Sequence, residues 1–384
     1  MLEDAYKIPV FSQMTDEAEH ERRMAEAAQR AKGFLAHVQQ RIYEPIPTGL
    51  IDIDKALAGG MMRGQLVILG AAPGMGKTAL ATWIFSRLAL NRVPSLYLNL
   101  EMSFVQLEAR RYSTTLADTE CPLSPTEVLQ AYDRKPDEWE QIVKASDRVT
   151  AIDAYMQTPA QPLGNLDEIV KYINAEAARM EALNQRAPFV ILDYLQKVQG
   201  NPGEDRTAAV QRAIAAMKDY ALKHRTIAFV IVAHNREANK NGRISMEAAR
   251  DTSDIEYTAD LQLGMTYTGC LYPTMKEGKD GKKYEYYRTP SDLKPDEKKF
   301  LTVQVTKARF GQQDATSHLY FDGESMTFRQ VGYDWIPLSE SEGKTFEEFT
   351  GIKVDTGTGR TSGVEIKNRS SGAVKKKKPS DYDA

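Results

Sequence analysis

The residues Ala71-Ala72-Pro73-Gly74-Met75-Gly76-Lys77-Thr78 concentrate the chemistry of this chain. Gly74 and Gly76 let the backbone curl until successive N–H groups point into one concavity, a shape that suits phosphate oxygens. A helix starting at this point adds its positive end to the same anion. Lys77 then reaches the β- and γ-phosphates of a nucleoside triphosphate, and the Thr78 hydroxyl ligates Mg²⁺. The expected ligand is ATP with Mg²⁺, cradled by Ala72, Pro73, Gly74, Met75, Gly76, Lys77 and Thr78. Ala71 stands where the strict pattern has glycine.

Two carboxylates at strand ends can complete such a site. Ser95-Leu96-Tyr97-Leu98-Asn99-Leu100 reads as a strand delivering Glu101, and Pro188-Phe189-Val190-Ile191-Leu192 as one ending in Asp193. Ligands of an open parallel sheet bind beyond the C-terminal ends of its strands. Glu101 therefore falls near the γ-phosphate, where a carboxylate orients and deprotonates the attacking water. Asp193 in such a position holds Mg²⁺, usually through water. Plain structural roles also suit both residues, a helix cap for Glu101 and a strand terminus for Asp193.

The elements that must position these groups follow from periodicity. Leu66-Val67-Ile68-Leu69 is a buried strand before the loop, and Ala79 to Phe85 the helix after it. Glycines at 59, 60 and 64 fit tight turns into that strand. A helix runs from Thr15 to about Tyr43, stopped by Pro45 and Pro47. Its apolar positions Met24, Ala28, Ala31, Leu35, Val38 and Ile42 form a narrow seam, to be packed on its own domain or on a partner. Further on come a helix around Pro125 to Ser146, a short strand Val149-Thr150-Ala151-Ile152, a helix from Leu166 to about Leu183, and one carrying Ile214, Met217 and Ala221.

A fourth strand, Thr226 to Ala233, ends in His234, which can sense a γ-phosphate and move the loop behind it. That loop carries Lys240, Arg243 and Arg250, cations suited to nucleic-acid phosphates or to a solvated surface. After the strand Leu261 to Met265, a charged excursion over 268–299 is expected to be a hairpin or loop insertion. Leu301 to Thr306 alternates apolar and polar, which predicts a half-exposed strand. It delivers Lys307 and Arg309 with no acidic residue directly following to neutralise them. His318 to Gly323 and Met326 to Phe328 make a closing hairpin that turns at Asp322-Gly323.

With 384 residues the chain accommodates one nucleotide-binding domain of about 250 residues plus appendages. Its net charge of −3 argues against a surface coated with nucleic-acid-binding charge, although a local basic groove remains compatible. Cys121 and Cys270 have neither zinc spacing nor a secreted-scaffold pattern. No leader or membrane-spanning run is present in the sequence, so a cytoplasmic protein with no membrane partner is expected. Residues 336–384 form a C-terminal extension that turns polar and Gly/Ser/Thr-rich beyond Gly351 and ends near a run from Lys375 to Lys378; it is expected to be largely disordered.

Several stretches resemble one family. Thr48-Gly49 and the paired Gly59-Gly60 before the phosphate loop are similar to the RecA superfamily. Leu100-Glu101-Met102-Ser103 with Gln106 and Arg110 in the next helix, Asp193-Tyr194-Leu195-Gln196, and Lys307-Ala308-Arg309-Phe310-Gly311 resemble the DnaB-type replicative helicases over residues 46 to 330. The chain departs from that family's Ser-Gln-Leu-Asn-Arg, reading Ala-His-Asn-Arg from Ala233 and one residue shorter. Ser253 to Asp260 is similar to a segment whose acidic pair precedes the next core strand, and its expected role is structural.

The resemblance implies an α/β fold: a RecA-like P-loop NTPase core over 46–335, with a mostly parallel sheet, flanking helices and a closing antiparallel hairpin. Residues 1–45 resemble the linker helix that docks on the adjacent subunit. The implied activity is ATP hydrolysis driving a ring, a hexamer in the family, along single-stranded DNA with 5′-to-3′ unwinding; a helicase loader or primase is a further implied partner. Lys77, Glu101 and His234 take the catalytic roles within a subunit. Lys307 and Arg309 reach the ATP of the next subunit, where Arg309 stabilises charge on the γ-phosphate. With about 45 residues before the core, the expectation is a phage- or plasmid-like motor without the family's collar domain. Two rival readings are a RecA- or RadA-like recombination ATPase and an ATP-regulated DNA-binding or loading protein that never translocates. Asp-Tyr-Leu-Gln and Lys-x-Arg-x-Gly favour the helicase.

Overall fold

The computed structural model of the chain describes residues 17–39, 44–117, 119, 121–134, 136–159, 163–233, 257–271, 273–277, 281–331, 352–354 and 364–366. His234, Lys240, Arg243 and Arg250 lie outside the described residues. The chain divides into two compact units, residues 1–44 and 45–384. In the first, α1 (Glu17–Gln39) opens with Glu17 and Glu19 at its positive end and buries none of its residues. The seam residues Met24, Leu35 and Val38 are all more than half exposed, as is Phe34.

The second unit begins with α2 (Ile51–Ala56), β1 (Leu66–Ala71), α3 (Lys77–Leu90), β2 (Ser95–Asn99), α4 (Phe104–Leu116), α5 (Pro125–Arg134), α6 (Pro136–Asp153) and β3 (Met156–Gln157). It continues through α7 (Leu166–Ala182), β4 (Phe189–Asp193), α8 (Arg206–Lys223), β5 (Ala228–Ala233), β6 (Leu261–Tyr267), β7 (Pro273–Glu277) and β8 (Lys283–Tyr287). The last strands are β9 (Phe300–Ala308), β10 (Thr316–Asp322), β11 (Thr327–Gln330), β12 (Ile352–Val354) and β13 (Val364–Ile366). The main sheet has the order β11-β10-β9-β6-β1-β5-β4-β2-β3. From β6 to β3 neighbouring strands are parallel, whereas β9, β10 and β11 join antiparallel.

β1 is central and buried along its whole length, which explains its continuous apolar sequence. Val67 and Leu69 face a core with Leu80 and Ile84 of α3, and Leu66 and Ile68 face the other with Ile169 and Ile173 of α7 and Met217 of α8. The excursion after β6 contains the β7–β8 hairpin, as expected.

One local expectation is corrected and another holds only in part. Val149 to Ile152 is not a strand but the end of α6, where Ile142, Ala145, Val149 and Ile152 share one buried helical face; the strand comes later, as β3. The alternation in β9 marks exposure only in its second half, where Gln304 and Thr306 are half-buried between the buried Val303 and Val305. Thr302, by contrast, is fully buried, its hydroxyl 2.9 Å from the Thr268 hydroxyl and 2.9 Å from His318 Nδ1. Burial pushes the His318 imidazole down to about 4. Within the C-terminal extension, β12 and β13 pair antiparallel.

Candidate nucleotide site

α3 begins directly at the phosphate loop. Gly76 caps it in the left-handed region (φ 81°) and Gly74 has φ 80°, so both glycines are required by backbone conformation rather than by space. The loop opens on a cavity of about 520 Å³ lined by Lys77, Thr78, Glu101, Gln106, Arg110 and Asp193 among others. Four of the residues expected to handle ATP and Mg²⁺ thus converge at the C-terminal ends of β1, β2 and β4. Lys77 Nζ donates to the carbonyls of Ala71 and Ala72, 3.0 Å each. Burial lowers its pKa, opposed by the charges of Asp193 and Glu101.

Asp193 is buried at the end of β4. Its Oδ2 accepts a 2.8 Å hydrogen bond from the Tyr97 hydroxyl, and Thr78 also hydrogen-bonds the carboxylate. Burial raises the pKa of Asp193, while Tyr97 and Thr78 pull it back. Its Oδ1 is buried with no hydrogen-bond partner in the structure. An unsatisfied carboxylate oxygen next to a hydroxyl is the oxygen-donor chemistry that Mg²⁺ takes, so Thr78 and Asp193 fit the ion. No cluster of three or more metal-ligating His, Cys, Asp or Glu side chains occurs among the described residues.

Glu101 stands one strand over, on the turn after β2. Asn99 moulds that turn, its Oδ1 accepting from the N–H groups of Glu101 and Met102 at 3.2 and 2.9 Å and its Nδ2 donating to Met102 O at 2.6 Å. Ser103 and Gln106 then form a reciprocal capping box at the start of α4. Gln196 braces Ala233, which lines the cavity: its amide donates to Ala233 O at 3.0 Å and accepts from Ala233 N at 3.1 Å. It thereby ties the segment after β4 to the residue before His234. Phe321 and Met326, from the β10–β11 hairpin, supply an apolar side of the cavity. Tyr97, Asn99, Phe321 and Met326 were not signalled by any local motif; their roles depend on strands brought together from distant sequence.

Lys307 and Arg309 are elsewhere. β9 runs antiparallel to β6, pairing Ala308 with Leu261, and Leu261 pairs in turn with Val67 near the start of β1. The two cations therefore emerge beside the beginning of β1, whereas the phosphate loop follows its end. At 3.3 Å per residue this is roughly 17 Å along the sheet. No acid directly follows the two cations, but one from earlier in the chain meets Arg309: Arg309 Nη1 donates to Asp260 Oδ1 at 2.9 Å, and Nη2 donates to Tyr257 O at 3.1 Å. The acid comes from the residue just before β6, the strand that pairs with β9. Lys307 Nζ donates to the same Tyr257 carbonyl at 3.3 Å. Gly311 turns away with φ 112°, and a Cβ on it would meet Ala56 O at 2.9 Å, so the last glycine of Lys-x-Arg-x-Gly answers a close backbone approach.

A parallel sheet with a phosphate loop after its central strand, an aspartate closing β4 beside it and a glutamate beyond β2 defines a RecA-like P-loop NTPase. The antiparallel strands added beyond β6 extend that core. The chain belongs to the family of DnaB-like helicase C-terminal domains, whose model matches residues 45–330. It is 28% identical over 236 residues to the replicative DNA helicase DnaB of Helicobacter pylori, covering 60% of this chain and 46% of that protein. It is 26% identical over 238 residues to a probable plasmid replicative DNA helicase of Chlamydia trachomatis, covering 61% and 49%. The chain thus spans about half the length of these relatives. Its fold is similar to a solved DnaB-like replicative helicase studied for its interactions with primase, with TM-score 0.61 and 17% identity over 78% of this chain and 65% of that one.

Proposed function

We propose that the chain is the ATP-driven motor of a replicative DNA helicase, working in the cytoplasm as a head-to-tail hexameric ring on single-stranded DNA. The observation that carries this reading is the separation between the two halves of the chemistry. Lys77, Thr78, Glu101 and Asp193 share one cavity, while Lys307 and Arg309 lie at the opposite end of the strands, out of reach of their own nucleotide. A neighbouring copy's nucleotide gives those cations a role, and a head-to-tail contact of that kind closes into a ring or continues as a helix.

In this reading the loop amides and Lys77 hold the β- and γ-phosphates, and Thr78 and Asp193 hold Mg²⁺, which neutralises charge on the phosphates. Glu101 takes a proton from water as its oxygen bonds to the γ-phosphorus and the bond to the β–γ bridging oxygen breaks. Arg309 of the adjoining copy stabilises the charge spreading over the γ-phosphoryl oxygens. Phe321 and Met326 offer apolar contact to the nucleotide. His234 relays γ-phosphate loss to the loop with Lys240, Arg243 and Arg250, which hold DNA by its backbone. The exposed apolar side chains of α1 favour docking on the adjacent subunit. A loader or primase is the expected further partner.

The deciding experiment is ATP-dependent unwinding of forked duplexes carrying a 5′ or a 3′ single-stranded tail. Unwinding from the 5′-tailed fork, lost in Lys77→Ala, is expected. DNA and ATP binding without unwinding would favour a loading protein, and ATP-bound filaments without rings a recombination ATPase. Alanine at Lys240, Arg243 and Arg250 together should weaken DNA binding for all sequences alike and flatten its salt dependence by roughly 0.7 for each phosphate no longer neutralised. An unaltered salt slope would move the DNA-binding surface elsewhere.

A further inference from the structure

Asp260 immediately precedes β6 and is 4% exposed. Its carboxylate joins three elements. Oδ2 accepts from Leu66 N at 2.7 Å, the first residue of the strand that leads to the phosphate loop, and from Lys218 Nζ of α8 at 2.5 Å. Oδ1 accepts from Arg309 Nη1 at 2.9 Å. The backbone repeats the connection: Arg309 N donates to Asp260 O at 2.9 Å, and Asp260 N to Leu66 O at 3.0 Å. A side chain so fully engaged fixes geometry more than it adds net stability, because a buried carboxylate must be desolvated before its bonds can form.

Arg309 is held but not enclosed. Its side chain remains 47% exposed, and Phe310 beside it is 61% exposed. A guanidinium has N–H donors beyond the two that Asp260 and Tyr257 engage, and its planar fork is suited to phosphoryl oxygens. Left without an anchor, a long arginine on an exposed strand end would sample many rotamers, each of which must be surrendered before it meets a nucleotide. Anchoring one side of the fork removes much of that freedom beforehand.

We propose that Asp260 is the positioning residue of Arg309, holding its guanidinium ready for the nucleotide of the adjoining subunit and fastening it to the base of the strand that carries the subunit's own phosphate loop. The proposal rests on the reading of Arg309 as acting in trans. Asp260 touches no substrate; it acts through Arg309. Lys218 is the other cation on the same carboxylate; it also donates to Gly64 O at 3.2 Å, so it braces Asp260 and the turn before β1 rather than Arg309.

The test uses full-length chains mixed under conditions shown to exchange subunits. Asp260→Asn should lower kcat for ATP by about 10²-fold, the scale of a misplaced catalytic group, with little change in KM. Mixed with Lys77→Ala it should regain ATPase, because the Asn variant keeps an intact phosphate loop and the Lys77→Ala subunit an intact finger. Mixed with Arg309→Ala it should regain none, since both partners then lack a working finger. Lys218→Gln disturbs the same buried carboxylate but leaves the Arg309 pair, and should lose thermal stability while keeping turnover. If Asp260→Asn does not fold, Asp260→Glu, which retains the charge but moves the anchor, is mixed in the same way with the same expected recovery pattern.

Two results separate the ideas. If Arg309→Ala and Lys77→Ala fail to complement each other, the trans assignment itself falls. If that pair recovers activity while the Asp260 variant does not recover with Lys77→Ala, or recovers with Arg309→Ala, the positioning role is refuted and Asp260 is a support of the sheet only.

Discussion

Replacing Tyr97 by phenylalanine removes a single oxygen from the interior of the nucleotide site. The Tyr97 hydroxyl donates to Asp193 Oδ2 at 2.8 Å and lies 3.5 Å from Thr82 Oγ1. Burial keeps the phenol neutral, its pKa well above the ordinary value, so it is a donor at working pH. A hydrogen bond to a charged group contributes about 1.5–3 kcal/mol, and a buried acceptor left unpaired loses that amount. Asp193 already carries one unpartnered oxygen, so little compensation is available locally. The substitution should destabilise the fold by about 1.5–3 kcal/mol. It should also push the Asp193 carboxyl further up, because burial raises it and the Tyr97 bond is the largest influence opposing that rise. Protonation of Asp193 then competes with Mg²⁺ at a higher pH. The expected outcome is a lower urea midpoint, an acidic limb of the ATPase profile displaced upward in pH, and a Mg²⁺ requirement raised about tenfold for each 1.4 kcal/mol lost at the site. Urea unfolding by fluorescence and Mg²⁺ titrations of ATPase over a pH series measure all three. A Tyr97→Phe protein with the parental midpoint and the parental acidic limb would refute the claim that this hydroxyl holds the carboxylate.

Glu101→Gln should leave nucleotide binding near parental while reducing turnover by about 10²–10⁴-fold, and turnover at the parental rate would remove Glu101 from the base role. Deleting residues 1–43 should weaken assembly more than folding, since α1 buries none of its own residues; sedimentation unchanged alongside lost thermal stability would show that the helix packs within its own chain. His318 has its pKa lowered to about 4 by burial, below the ordinary histidine value. The unfolded chain then binds the extra proton first, so the His318 contribution to stability is complete above about pH 6.5 and is lost as pH falls toward 4. Comparing Tm at pH 7 and pH 4.5 should show a shallower acid loss in His318→Gln, and an equal loss in both proteins would assign the effect to other groups.

Much of the site was legible because its parts are local. A phosphate loop needs two glycines, a lysine and a threonine in consecutive positions between a strand and a helix, and those constraints act within ten residues of one another. Glu101 and Asp193 followed from a rule about strand ends, so recognising their strands was sufficient to bring them to one side of the sheet. The misread segment at 149–152 shows the limit of short windows. Val149 to Ile152 resembles a strand by itself, and only the longer spacing from Ile142 reveals a helical face.

Tertiary structure decided what depends on which strands become neighbours. Alternation in β9 predicted a half-exposed strand, which holds at Gln304 and Thr306 but not at Thr302, which is buried and paired with His318 on the neighbouring strand. Tyr97 reaches Asp193 across the neighbouring strands β2 and β4, separated by 96 residues in the chain, and no local pattern encodes that pairing. The same is true of Asp260 and Arg309, 49 residues apart and joined because β9 returns antiparallel along β6. Residue types set which chemistry was available at each position. Strand order, which arises from burying two apolar faces of one sheet under separate layers of helices, determined which of those residues could meet.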